Sequence, residues 1–216
     1  TTDYIDTYSV IKGFLNLTLN AKAWNILFSE IPNIHYQTNR KENIVLEYCG
    51  PNTNKPLHIG HLRNVFLGYS VGRILEEVGH TVHKVNINND RGIAICKSMI
   101  AYQLHGHGET PKSSGLKGDF LVGKYYIRYN DIYKSEVAEA IQNGKSEKDA
   151  EAEAPIAVAA QAMLVQWEEG NPTVISLWKQ LNSWFYQGLH ETLERLGIYF
   201  EKEYYESAEY QKGKDI

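Results

Sequence analysis

The spacing of apolar and polar positions changes several times along the chain. Phe14-Leu15-Asn16-Leu17-Thr18-Leu19 alternates, the period of a half-buried strand. A short helix is expected over residues 21–29, ended by Pro32, followed by a polar linker over 33–42. Ile44-Val45-Leu46-Glu47-Tyr48-Cys49 is a compact apolar run, as in a parallel strand covered on both faces. Gly50-Pro51-Asn52 breaks it. From 60 to 78 the period becomes helical, with Leu67, Val71, Ile74, Leu75 and Val78 on one face. Gly68 and Gly72 inside that helix cost roughly 1 kcal/mol each against Ala, a cost that close packing on a sheet would offset. Gly79 suits the end of the helix. Residues 81–88 alternate again, giving a second strand. Strand, helix and strand in this order form a βαβ unit with parallel strands.

Residues 105–118 read as loop, and the aromatic-rich stretch 122–133 fits either a strand or a helix. Residues 135–163 are rich in Ala, Glu and Lys and helical, with a break at Asn143-Gly144 and a start near Pro155. Asn171-Pro172 is another break. Val174, Leu177, Leu181, Phe185, Leu189, Leu193 and Leu196 then keep helical spacing. Gly197 caps that helix, and Ile198-Tyr199-Phe200 reads as a third strand. The fold class is α/β: a Rossmann-like parallel sheet interrupted by a helical insertion. Four stretches follow: an opening piece (1–40) too small to be a complete domain, the first half of the nucleotide fold (41–104), the insertion (105–172) and a return to the sheet (173–216).

Composition narrows the class. The 216 residues are 43% hydrophobic and 22% charged, an ordinary globular balance. No run of about 18 apolar residues exists, so a membrane span is not expected. The first residues lack the basic-then-apolar order of a signal peptide. Cys49 and Cys96 are the two cysteines. They read as small, reduced core residues, which points to the cytoplasm. A net charge of −4 argues against a surface coated for non-specific nucleic-acid binding, while leaving room for a local basic patch. Fifteen tyrosines and four tryptophans read mainly as packing.

The chemistry concentrates in Pro51-Asn52-Thr53-Asn54-Lys55-Pro56-Leu57-His58-Ile59-Gly60-His61-Leu62-Arg63-Asn64. In open parallel sheets ligands bind beyond the carboxyl ends of the strands, and these residues lie there. The following helix presents its N-terminal N–H groups, which favour phosphate. His58 and His61 can each donate a ring N–H to phosphate oxygens, and such donors help most where charge develops in a transition state. Gly60 leaves room for a flat adenine against the backbone. Lys55 is a second candidate for phosphate. The plain alternative is that the histidines cap a helix and Lys55 is solvated. Zinc fits poorly, because no second Cys/His pair lies near His58 and His61, and no metal site is expected. His80, His83, His105 and His107 read as loop or edge-strand residues.

The segment from Glu47 to Arg63 resembles the HIGH signature of class I aminoacyl-tRNA synthetases, and specifically that of bacterial arginyl-tRNA synthetases. Asn86-Ile87-Asn88-Asn89-Asp90-Arg91-Gly92, Gly118 to Tyr126 and Phe200 to Ser207 share the likeness, which covers most of 41–216. Residues 1 to about 30 look like the end of that family's N-terminal tRNA-binding domain. The resemblance implies that His58 and His61 bind ATP phosphates and stabilise the transition state of adenylation, and that Gly60 packs on adenine. It implies that Glu47 and Asn52 orient the ammonium and carboxylate of arginine. Glu206 would help to read the guanidinium, whose parallel N–H bonds a carboxylate accepts. Many relatives read Gly-Asp-Trp-Gly near Asp90, so Arg91 departs from them and its role stays open. ATP with Mg²⁺, L-arginine and tRNA(Arg) are the implied partners, in a cytoplasmic monomer. The family's second, lysine-rich signature is absent from the sequence. The chain is therefore expected to be an internal fragment with negligible arginine activation by itself. Two other readings stand beside this one: an HxGH nucleotidyltransferase acting on a small molecule, and a tRNA- or nucleotide-binding module without activation.

Overall fold

The computed structural model describes residues 3–33, 40–210 and 212–214. The expected linker falls largely on residues 34–39, outside that set. The opening piece is a hairpin of β1 (Ile5–Ile11) and β2 (Phe14–Leu19), followed by α1 (Ala21–Glu30). Lys12 and Gly13 form the turn, both at positive φ (49° and 84°), as two-residue hairpin turns require. The alternation over 14–19 marks only the second strand of this hairpin, so β1 goes unseen in the sequence pattern. The Asn20 side chain accepts the Ala23 N–H at 2.9 Å and starts α1. β2 is not half-buried as expected: Phe14, Leu15 and Leu17 all face solvent, because no described element covers either face of the hairpin.

The second sheet has the order β3-β4-β5, all parallel, from β3 (Asn43–Glu47), β4 (Thr81–Asn88) and β5 (Lys202–Tyr205). His83 therefore lies on the central strand and not an edge; its Nδ1 is 3.0 Å from Glu201. The third strand begins at Lys202, four residues after the start of the apolar run at 198–200. That run packs instead of pairing: Ile198 is buried and Phe200 lies against Tyr48, ring centroids 4.7 Å apart.

α2 (Ile59–Glu77) joins β3 to β4. Its apolar stripe does not face the sheet. Leu67 is 56% and Ile74 63% exposed, while Val65 and Gly72 are buried. The glycines are the contact face. A Cβ on Gly68 would collide with the Tyr48 ring, and one on Gly72 would lie 3.3 Å from both Leu46 Cδ2 and Lys84 Cε. The helix axis thus sits closer to the sheet than any larger residue allows. Lys84, 3% exposed at the centre of the sheet, reaches out to Glu76 near the far end of α2, at 2.6 Å. Burying an amine is costly unless it is paired, so this ion pair ties the helix to the strand.

The connection from β4 to β5 is helical: α3 (Ile93–His105), α4 (Pro111–Ser114), α5 (Gly118–Gln142), α6 (Glu147–Glu153), α7 (Pro155–Glu168) and α8 (Pro172–Arg195). The expected loop 105–118 is shorter by a residue at each end, since α3 runs through His105 and α5 starts at Gly118, and it contains the single turn α4, capped by Thr110. The ambiguous stretch 122–133 is helix, with Leu121, Val122, Tyr125 and Tyr129 buried at helical spacing. Pro155 opens α7 and Pro172 opens α8, in the first turn where a proline removes no helical hydrogen bond. The main core lies between α3, α5, α7 and α8, around Met99, Leu121, Phe185 and Leu189. α5 and α8 cross at glycines: a Cβ on Gly118 would strike the Trp184 carbonyl, and one on Gly188 would strike Asp119.

Candidate functional site

The carboxyl ends of the three strands are tied sideways into one platform. After β3 the backbone reverses through Cys49 and Gly50, at φ 84° and 55°. A cysteine rarely adopts that conformation, and burial of its side chain accompanies it here. Asn86 Oδ1 on β4 accepts the Gly50 N–H at 3.0 Å. Asn52 then pairs with Asn89 in a parallel bridge, and the Asn89 amide donates to Asn52 Oδ1 at 3.0 Å. Thr53 and Asn54 are buried, and Asn54 donates to the Ala94 carbonyl at 3.2 Å. α5 presses on the same loop through Gly123, where a Cβ would lie 2.6 Å from Pro56 Cδ. The loop that carries Lys55 is thus held from the sheet and from the helical layer.

His58 is the N-cap of α2 and His61 is in its first turn. His58 Nδ1 accepts the Gly60 N–H at 3.1 Å, and His61 Nδ1 accepts the His58 N–H at 3.2 Å. The rings lie 3.9 Å apart, tilted by 35°. An Nδ1 that accepts leaves the neutral imidazole with its hydrogen on Nε2. Both rings therefore act as caps through Nδ1, which leaves each Nε2–H unused by the helix. Desolvation first, then the neighbouring His58 and Lys55, hold the His61 pKa below the ordinary histidine value, which keeps this neutral form at pH 7. The Lys55 ammonium makes no hydrogen bond or ion pair among the described residues.

Glu47 ends β3 and is exposed; Glu206 opens α9 (Glu206–Glu209), directly after β5, and is half-buried. Neither carboxylate has a hydrogen-bond or ionic partner among the described residues. Tyr205 pairs with Asn88, and Asn52 with Asn89. Asn52 and Glu206 therefore flank the central strand, about two strand spacings or ~10 Å apart. Three further side chains support this edge, and sequence pattern assigns them no role. Asp90, 2% exposed, accepts the Ser207 N–H at 2.8 Å and the Ser207 hydroxyl at 2.7 Å. Arg91 places its guanidinium 3.5 Å from the Tyr210 ring centroid and 3.1 Å from Glu168. Glu203 accepts from Asn88 at 2.8 Å and from Asn86 at 3.4 Å, and His190 Nε2 lies 2.8 Å from it. The signal for Asp90 and Arg91 was the run Asn86-Ile87-Asn88-Asn89-Asp90-Arg91, too polar for the end of a buried strand unless each group finds a partner.

A parallel α/β sheet with two histidines at a helix start beyond its strand ends has the layout in which open α/β folds take their ligands. The chain belongs to the family described as tRNA synthetases class I (R), catalytic domain, whose profile matches residues 24–214. It is 50% identical over 218 residues to an arginine–tRNA ligase of Amoebophilus asiaticus, covering 100% of this chain and 37% of the relative. It is 49% identical over 216 residues to an arginine–tRNA ligase of Bacteroides fragilis, covering 98% and 36%. The chain thus spans little more than a third of the length of these relatives. The solved arginyl-tRNA synthetase of Thermus thermophilus has the same fold, with a TM-score of 0.53 at 21% identity over 96% of this chain and 30% of that one. No helix among the described residues is long and apolar enough to cross a membrane.

Proposed function

We propose that these residues form the ATP- and arginine-binding part of an arginine–tRNA ligase. The observation that carries the reading is the pair of Nε2–H donors fixed at the start of α2, in a chain that belongs to this synthetase family. ATP enters with its Mg²⁺ as one substrate. The arginine carboxylate attacks the α-phosphorus, a P–O bond forms, and pyrophosphate leaves with the electrons of the broken P–O bond. Charge grows on the phosphate oxygens in that step. His58 and His61 already point N–H groups outward, so they stabilise it without reorganising. Lys55 adds a mobile positive charge, and Gly60 leaves the backbone open to adenine. Glu47 and Asn52 hold the ammonium and carboxylate of arginine, and Glu206 takes the guanidinium. A ribose hydroxyl at the 3′ end of tRNA(Arg) then attacks the acyl carbon and AMP leaves.

The remaining readings belong to the same proposal: residues 105–172 as an insertion into the nucleotide fold, a monomer, and a cytoplasmic location. The test is ATP–pyrophosphate exchange by the full-length protein with each amino acid in turn, with and without total tRNA. Exchange with arginine alone among the amino acids is expected. Exchange with another amino acid, or none with arginine, overturns the assignment.

A further inference from the structure

Glu206 must present its carboxylate at a fixed angle to bind a guanidinium through two parallel bonds, and a small misplacement is costly. Yet it stands on a single helical turn. A four-residue helix does not hold itself, since nucleation costs more than one turn of hydrogen bonds returns. Something outside α9 must fix it. The two residues that leave the central strand do so from both sides. Asp90 takes the backbone N–H and the hydroxyl of Ser207, the residue after Glu206. Arg91 stacks on Tyr210, which caps the end of the turn. Both grips are themselves held. Trp178 Nε1 donates to the Asp90 carbonyl at 2.6 Å, and the Arg91 charge is answered by Glu168 at the end of α7.

We infer that Asp90 and Arg91 are positioning residues for the Glu206 carboxylate, gripping α9 at its start and its end. The inference rests on the reading of Glu206 as the partner of the arginine guanidinium. It also gives Arg91 a role: through Glu168 it couples α7 to the group that selects the amino acid.

The experiment is steady-state pyrophosphate exchange by the full-length protein with tRNA present, varying arginine and ATP separately. E206Q tests the underlying reading. S207A removes one of the two Asp90 bonds at a partly exposed position, and R91M keeps an unbranched apolar stem but removes the guanidinium and its charge. E206Q should raise KM for arginine about 100-fold, and S207A and R91M about tenfold each, scaled on about 1.4 kcal/mol per decade. KM for ATP should stay unchanged. In the E206Q background neither second substitution should raise KM further, because both act through Glu206. If E206Q leaves KM for arginine unchanged, the guanidinium reading falls. If E206Q acts while S207A leaves KM for arginine unchanged, or keeps its full effect beside E206Q, the positioning role alone falls. R91M serves the same decision, and S207A decides alone where R91M does not fold.

Discussion

At the scale of single residues, the two histidines were legible as phosphate donors and, separately, as helix caps. The structure shows the caps, and the capping nitrogen fixes which nitrogen is left for the proposed phosphate contact. Replacing His58 by Ala should lower the activation rate about 100-fold, the usual loss of one such donor, and change KM for ATP little. A large rise in KM for ATP with an unchanged rate would contradict a transition-state role. The His61 pKa lies lower folded than unfolded. Between its unfolded value near 6.5 and that lower value, the unfolded chain binds more protons, so stability falls as pH falls through this window. Thermal midpoints at pH 7 and pH 5 should therefore differ less in a His61→Asn variant than in the parent; an equal difference would mean that His61 does not contribute. Cys49 and Cys96, pushed up to about 12 and about 11 by burial, should resist iodoacetamide at pH 8 until the chain is unfolded.

At the scale of elements, period and punctuation located most of the sheet and helices. β4 came out at its own bounds, and the prolines opened α7 and α8 as their φ demands. An apolar stripe shows that a segment can bury a face, not which face its neighbours reach: the close packing expected at Gly68 and Gly72 is present, while the strand expected at 198–200 is not. α2 uses Gly68 and Gly72 against the sheet and leaves Leu67, Val71 and Ile74 outside. The run 198–200 uses its hydrophobicity in packing, and the polar Lys202-Glu203 pairs instead because Asn86 and Asn88 satisfy the carboxylate. Gly68→Ala ought then to reverse the usual helix preference. Alanine gains about 1 kcal/mol in an open helix, whereas overpacking against Tyr48 costs about 1–3 kcal/mol. Urea titration should show a net loss; a gain would mean that Tyr48 moves aside. Gly123→Ala should act at a distance, pushing Pro56 and the Lys55 loop and lowering exchange activity with the helical signal unchanged.

At the scale of the whole molecule, the order of elements was readable because each connection has its own period, while the lateral ties at the strand ends were not. Asn52 with Asn89 and Asp90 with Ser207 lie 37 and 117 positions apart in sequence, and no local pattern encodes such pairings. The exposed apolar side chains of α2, with Val45 on β3 and the hairpin residues Phe14 and Leu15, predict how the 216-residue chain behaves alone. It should bind a hydrophobic dye and self-associate, as uncovered apolar patches do. A Leu67→Lys, Val71→Lys double variant should weaken both, with circular dichroism unchanged; undiminished dye binding would place the sticky surface elsewhere. The Lys84–Glu76 pair has a consequence beyond holding charge. α2 is a stiff rod, and Glu76 lies eighteen residues from His58, roughly 27 Å at 1.5 Å per residue. A rod moored at its far end cannot slide along its own axis. The height of the two imidazoles above the strand ends is therefore set by a lysine at the centre of the sheet, and shortening that tether would detune the site without touching it.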